Sequence, residues 1–274
     1  MVRSAANRPG NVRELSGNFI EWSPCILKCH REVTFQFVVG SVQPCNPTVN
    51  FFADVSNRSP KLSRLHMTEV NLSNVLISDL PSSLESLAIT ESFLPYAWFQ
   101  SLSASSTAVL PHLKELDLSN SSKTSDVDLG CIAQAWPELT VLKLNYCYRI
   151  TAEGLHSVAE GLCKLEVLEV DGTDCDNVAV HHICRNLAAT LCRLSVAECL
   201  LFTDGCAGTV ASMLSCLRSL DVSRCPQLTD DGFLGLAHLK AHLQYLNVSS
   251  TAIGNNTLTK LKNSLPTCEI VYEA

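Results

Sequence analysis

The sequence predicts an α/β solenoid, with a parallel β-sheet lining a concave inner side and helices on the convex side. Three observations carry that reading: a leucine pattern at a fixed interval, a small residue at a fixed distance after it, and a helix start after that. The form L-x-x-L-x-L stands at Leu113/Leu116/Leu118. It returns at Leu139/Leu142/Leu144, Leu165/Leu168/Val170, Leu191/Leu194/Val196, Leu217/Leu220/Val222 and Leu243/Leu246/Val248, each 26 residues after the last. Six units in register without an insertion mark a repeat architecture. Weaker copies precede them at Leu84/Leu87/Ile89 and Leu62/Leu65/Met67.

Each unit reads as strand, bend and helix. The alternating L-x-L gives a short strand with one face buried and the other in water. Eight residues after the first Leu stands Cys147, Cys199 or Cys225, with Ser121, Thr173 and Thr251 in the other units. A small, weakly polar side chain suits a tight bend where neighbouring units stack. Thr151, Thr203 and Thr229 follow as N-caps, with acidic residues in the first turn favouring the positive end of the helix dipole. Apolar residues then fall at helical spacing: Leu129, Ile132, Ala133 and Trp136; Leu155, Val158, Ala159 and Leu162; Phe233, Leu236 and Ala237. Such a unit cannot bury its apolar face alone and must stack on its neighbours. The expected product is a leucine-rich-repeat horseshoe over residues 60–274, closed by a partial strand within Pro266–Ala274.

Residues 1–59 carry no repeat and no helical pattern, and read as a divergent segment that is poorly ordered or adds a strand at Val33–Val39 to the sheet edge. The opening ten residues place charge, Pro and Gly where a secretory signal needs an apolar stretch. The longest apolar run, around Phe35–Gly40, falls far short of the roughly 20 residues that span a bilayer. Fourteen cysteines in a chain of this size without an export signal are expected as reduced thiols in the cytoplasm or nucleus. With 20 basic and 27 acidic residues the formal charge is −7. That balance disfavours nucleic acid and anionic membrane as partners, since both need a basic face.

The cysteine at the bend followed by an L-T-D-x-G-type helix start carries a resemblance. The matching segments are Leu142-Lys-Leu-Asn-Tyr-Cys-Tyr-Arg-Ile-Thr151 and Leu220-Asp-Val-Ser-Arg-Cys-Pro-Gln-Leu-Thr-Asp-Asp-Gly232. They resemble the cysteine-containing repeats of the F-box/leucine-rich-repeat proteins, as do Ser59–Leu65, Leu80–Ile89 and Tyr96–Phe99. The resemblance covers about 57–274. It implies a substrate receptor of a Skp1–cullin–F-box ubiquitin ligase, with a target protein on the concave face. Residues 1–59 lack the Leu-Pro opening and helical pattern of an F-box. The resemblance therefore implies the substrate-reading half without the docking half, and Skp1–cullin machinery is expected only where an F-box is supplied.

No nucleophile elbow, P-loop or zincin motif is present, and no cofactor or metal is expected. His181-His-Ile-Cys184 falls on a convex helix with Ile183 and Cys184 inward and His181 solvated; Cys25–His30 has no second ligand pair at zinc spacing. Function must then come from surface. Residues between the strand leucines face the concave side. The row four after the first Leu holds Asp117, Lys143, Glu169, Ser195, Asp221 and Asn247; the row two after holds Glu115, Val141, Val167, Arg193, Ser219 and Tyr245. The bend edge adds Asn120, Tyr146, Gly172, Glu198, Arg224 and Ser250. Tyr and Arg beside an apolar spot are the types that carry binding energy. The expected protein-binding residues are Asp117, Val141, Lys143, Tyr146, Tyr148, Arg149, Val167, Glu169, Asp171, Arg193, Asp221 and Arg224. The competing reading of the same rows is an ordinary solvated surface. A ligase-independent binding scaffold or inhibitor is the alternative function; a thiol enzyme has no support in the sequence.

Overall fold

The structure, a computed structural model, describes residues 14–15, 32–36, 49–95, 98–104 and 108–273. Among these, eleven strands form one parallel sheet in chain order. They are β1 Glu14–Leu15, β2 Glu32–Gln36, β3 Arg64–Thr68, β4 Ser86–Thr90, β5 Glu115–Asp117, β6 Val141–Lys143, β7 Val167–Glu169, β8 Arg193–Ser195, β9 Ser219–Asp221, β10 Tyr245–Asn247 and β11 Glu269–Val271. On the convex side lie α1 Val49–Arg58, α2 Ser101–Ala104, α3 Asp126–Ala135, α4 Ala152–Gly161, α5 Asn177–Leu187, α6 Asp204–Met213, α7 Asp230–Gly235 and α8 Asn255–Ser264. Short 3-10 turns occupy Ile77–Asp79 and Leu236–Leu239.

The leucine interval becomes strand register. Leu116 pairs across with Leu142, Leu142 with Leu168, and so on through Leu194, Leu220 and Leu246 to Ile270. Every leucine or valine of the six in-register motifs is at most 2% exposed. The weaker copies are buried in the same way at Leu62, Leu65, Met67, Leu84, Leu87 and Ile89, and β11 supplies the expected closing strand. Upstream of residue 60 the sheet continues: β2 pairs with β3 over five residues, and Phe52 and Val55 of α1 are buried. The strand read at Val33–Val39 falls on β2, with residues 37–39 outside the described residues, as is the Cys25–His30 segment.

The bend cysteines act as hydrogen-bond donors between repeats. The Sγ atoms of Cys147, Cys199 and Cys225 donate to the carbonyls of Leu118, Val170 and Val196 at 3.2, 3.3 and 3.1 Å. Ser121 donates to Ile89 in the same way, whereas Thr173 and Thr251 turn back to Val170 and Val248 of their own repeats. Burial pushes the Cys147 thiol up to about 12 and the Cys199 thiol to about 11, so these sulfurs stay protonated and inert.

Helix starts are tied to the preceding repeat. Thr151 and Thr229 accept from the backbone of Glu153 and Asp231, as N-caps should. They also donate, through N–H and hydroxyl, to both carboxylate oxygens of Asp126 and of Asp204 one repeat earlier, at 2.6–2.8 Å. Thr203 departs from the expected cap. Its hydroxyl turns to Asn177 Oδ1, 3.2 Å away in the preceding repeat, and accepts nothing from its own helix. The sequence pattern did not show Ser125 and Asp176 as caps: Ser125 forms a capping box with Asp128, and Asp176 accepts from Val178 and Ala179.

Just past each of the strands β3 to β10 the chain passes through one left-handed residue. It is the seventh after the first apolar residue of the motif in all eight repeats: Glu69, Glu91, Asn120, Tyr146, Gly172, Glu198, Arg224 and Ser250, with φ from +52° to +66°. Non-glycine residues in this region cost about 1 kcal/mol or more each. The ladder holds them there. Tyr146, Gly172, Glu198 and Arg224 donate their N–H to Asp171, Ala197, Ser223 and Ser249 of the next repeat at 2.7–3.0 Å.

Candidate protein-binding surface

The left-handed turn lifts side chains off the sheet onto its rim, so the rim carries Tyr146, Glu198 and Arg224 as one file. Gly172 is the exception and has a local reason. A Cβ there would lie 2.7 Å from Cδ1 of Tyr146, so glycine leaves room for the tyrosine ring to lean across it. Tyr146 and Tyr148 face each other at 6.4 Å and 56°, and Tyr148 is 69% exposed. With Gly172, Thr173, Asp174, Glu198, Leu200 and Arg224 they line a groove of about 520 Å³. Leu200 is 64% exposed and Leu201 beside it is also exposed, an apolar shoulder where the solvated end of a bend needs none.

The charges here are arranged in pairs and ladders. Arg224 Nη1 reaches Glu198 Oε1 at 2.5 Å. Burial first, then the Glu198 and Asp171 carboxylates, push the Tyr146 phenol above its ordinary range. On the adjoining sheet, Lys143 Nζ lies 3.1 Å from Glu169 Oε2, and Asn145 donates to the same carboxylate at 3.3 Å. Asn145 Oδ1 accepts from the Asp171 N–H; Asp171 Oδ1 accepts from the Ser195 hydroxyl and the Ala197 N–H. Burial raises the Asp171 carboxyl to about 6, against the pull of those two hydrogen bonds and helped by Asp221 and Glu169. Asp221 continues the ladder, accepting from Ser223 and from Asn247 Nδ2.

The structure places the twelve expected residues in three groups. Tyr146, Tyr148 and Arg224 meet in the groove. Lys143, Glu169 and Asp221, in the row that Asp117 opens, form the concave ladder beside it with Asp171, two residues beyond Glu169; Asp117 itself accepts from the Ser119 N–H. Val141 and Val167 pair across β6 and β7 with Arg193 next in register on β8, so the apolar spot forms as a strip next to an exposed cation. Arg149 is exposed but does not line the groove. The lining residues beyond that set are Gly172, Thr173, Asp174, Glu198 and Leu200. For Leu200 a signal was present: the row nine after the first Leu reads Ser122, Tyr148, Asp174, Leu200, Pro226 and Ala252, and a leucine in a bend row is out of place. No cluster of metal-ligating side chains occurs among the described residues.

Comparison with known proteins agrees with the architecture. A Leucine Rich repeat family model matches residues 214–237 and 240–262. The chain superposes on a chain of the Rad7–Elc1 complex of yeast with a TM-score of 0.56 and 17% identity, over 87% of this chain and 68% of the other. The fold is a leucine-rich-repeat solenoid. The solenoid is also 30% identical over 129 residues to bovine F-box/LRR-repeat protein 4, covering 46% of this chain and 20% of that protein. It thus spans about a fifth of that relative's length. No helix among the described residues is long and apolar enough to cross a membrane.

Proposed function

We propose that this chain is a non-catalytic protein-recognition module that holds a partner against the rim groove and the adjoining concave strip. Joined to an F-box, it would serve as the substrate receptor of a Skp1–cullin–F-box ubiquitin ligase in the cytoplasm or nucleus, presenting its target for ubiquitination and degradation. The observation that carries recognition is the groove itself: two tyrosines and an exposed leucine set beside a fixed polar ladder on a rigid repeat array. Aromatic anchors next to ordered polar groups are what protein interfaces concentrate. The likeness to an F-box/LRR-repeat protein supports the ligase connection. The segments Ser59–Leu65, Leu80–Ile89 and Tyr96–Phe99 extend the reading to a resemblance to member twelve of that family. A ligase-independent scaffold or inhibitor is the second reading, since the groove and the concave strip provide recognition alone and serve either role.

Affinity purification under proteasome inhibition tests both. Capture of a defined partner set that falls away with Tyr148→Ala or with a combined change at Lys143, Glu169 and Arg193 supports recognition through this face. With an F-box joined to the chain, ubiquitination of those same partners, and their loss once the inhibitor is removed, select the receptor; partners held but left unmodified select the scaffold. Partners unaffected by either change would remove the face from consideration.

A further inference from the structure

We propose that the rim groove takes an extended segment of a partner protein that presents an arginine or lysine side chain. The inference rests on the recognition reading above and names the chemistry of the partner. Tyr146, Asp174, Glu198 and Arg224 come from four successive repeats. Neighbouring strands lie about 4.8 Å apart, so the groove runs about 14 Å along the rim, the length of about four extended residues. A volume of about 520 Å³ holds one or two long side chains of such a segment.

Charge chooses between possible occupants. Among the described residues the one cation lining the groove, Arg224, is already paired with Glu198. Lys143 on the adjoining ladder is paired with Glu169. Asp174, by contrast, is exposed and has no hydrogen-bond or ion-pair partner among the described residues. An incoming acidic side chain would find no free cation in the groove; an incoming cation finds Asp174 unpaired and Glu198 able to share. The tyrosine pair supplies π-faces, and Leu200 supplies apolar surface for the stem of a long basic side chain. The Arg224–Glu198 contact shows that a guanidinium already fits this space.

Selection of peptides from a random displayed library on the immobilised full chain tests the proposal. The expected result is enrichment of Arg or Lys at one position flanked by apolar residues. Synthetic versions of the enriched peptides should bind the Asp174→Asn/Glu198→Gln variant about tenfold more weakly, and Tyr148→Ala by a similar factor. Arg224→Gln, which removes the internal competitor for Glu198, should bind about threefold more tightly. Asp231→Asn, an acidic change on α7 away from the groove, should bind like the wild type. Enrichment of acidic peptides, of apolar peptides without a cation, or of nothing overturns the inference, as does weaker binding by Arg224→Gln. Those outcomes leave the recognition reading to its own test, because co-purified partners still report whether this face binds protein. Every substituted side chain is exposed or half-exposed, and unchanged circular dichroism and thermal midpoint confirm that lost binding is not lost fold.

Discussion

Residues 60–112 and 113–265 build the same sheet with different outer layers. The first stretch has strands of five residues, β3 and β4, but among the described residues only a 3-10 turn at Ile77–Asp79 and the four-residue α2 outside them. The second has three-residue strands backed by helices mostly of ten or eleven residues. Repeat length explains the contrast for the repeat that starts at Leu62 but not for the next, where Leu84 to Leu113 is 29 residues. Leu62 to Leu84 is 22 residues, too few for a strand, two bends and a three-turn helix; the 26-residue unit has room. Helices pack about 8–10 Å apart while strands pair about 4.8 Å apart, so the helical stretch must splay outward and curve around its sheet. At the junction Trp98, Phe99 and Trp136 fill the step between the two layers. Their rings meet edge-on at 5.2 and 6.4 Å, and both indoles donate to backbone carbonyls of the preceding repeat. The rim groove lies wholly in the curved stretch.

The largest expected effect concerns what holds that curved layer together. Gly154 and Gly232 sit where a Cβ would come within 2.3 and 2.1 Å of Asp126 and Asp204 Oδ1, the carboxylates that tie one helix start to the next. Gly232→Val forces the two repeats apart and breaks the tie, and should cost about 2–4 kcal/mol in urea unfolding. Gly130→Ala, with nothing within 4 Å of the added atom, should instead be neutral or stabilise by about 0.5–1 kcal/mol. Equal midpoints for the two variants would show that the helices are not stapled in this way. Next in size is Asp204→Ala, which removes both acceptors of Thr229 across a repeat boundary and should cost about 1–2 kcal/mol. Asp79→Ala in the first stretch removes only a local bond from the Leu76 N–H and should cost less than half as much.

The difference between the two stretches was also a difference in legibility. The strands, their register and the buried leucines of 113–248 follow from a period that one-dimensional stacking enforces, so those positions could be read without coordinates. The N-caps at Thr151 and Thr229 were legible for the same reason. Thr203 was not, because its hydroxyl is claimed by Asn177, a residue one repeat away that no local pattern connects to it. The aspartate staples and the need for Gly154 and Gly232 are likewise contacts between repeats. At the surface, the concave rows emerged from alternation alone, but the groove did not. It depends on a left-handed turn adopted by tyrosine, glutamate and arginine where glycine is the ordinary signal, which sequence propensity argues against.

The smallest expected effect sharpens the comparison on the concave side. Six residues after the first apolar residue of each motif, the first stretch places Thr68 and Thr90, which bond to one another at 3.0 Å beside His66. The second places Asp171 at that position, a half-buried carboxyl raised from 3.8 to about 6. The fold therefore holds the Asp171 proton more tightly than the unfolded chain does. Its contribution to stability is most favourable below about pH 4, declines as pH rises through the window from about 4 to 6, and is a constant penalty above it. Asn keeps the oxygen that accepts from Ser195 and Ala197 and never ionises. Asp171→Asn should thus match the wild type near pH 4 and exceed it by about 1 kcal/mol at pH 7.5, the figure reduced for the solvent that still reaches the group. Ser83→Ala, which in the first stretch removes only a hydroxyl bond to the Leu62 carbonyl, should shift stability by the same amount at both pH values. Chemical denaturation of the three proteins across that range decides it: a difference between Asp171→Asn and wild type that does not grow with pH would mean that Asp171 is ionised throughout, and that the ladder next to the groove is better solvated than its geometry indicates.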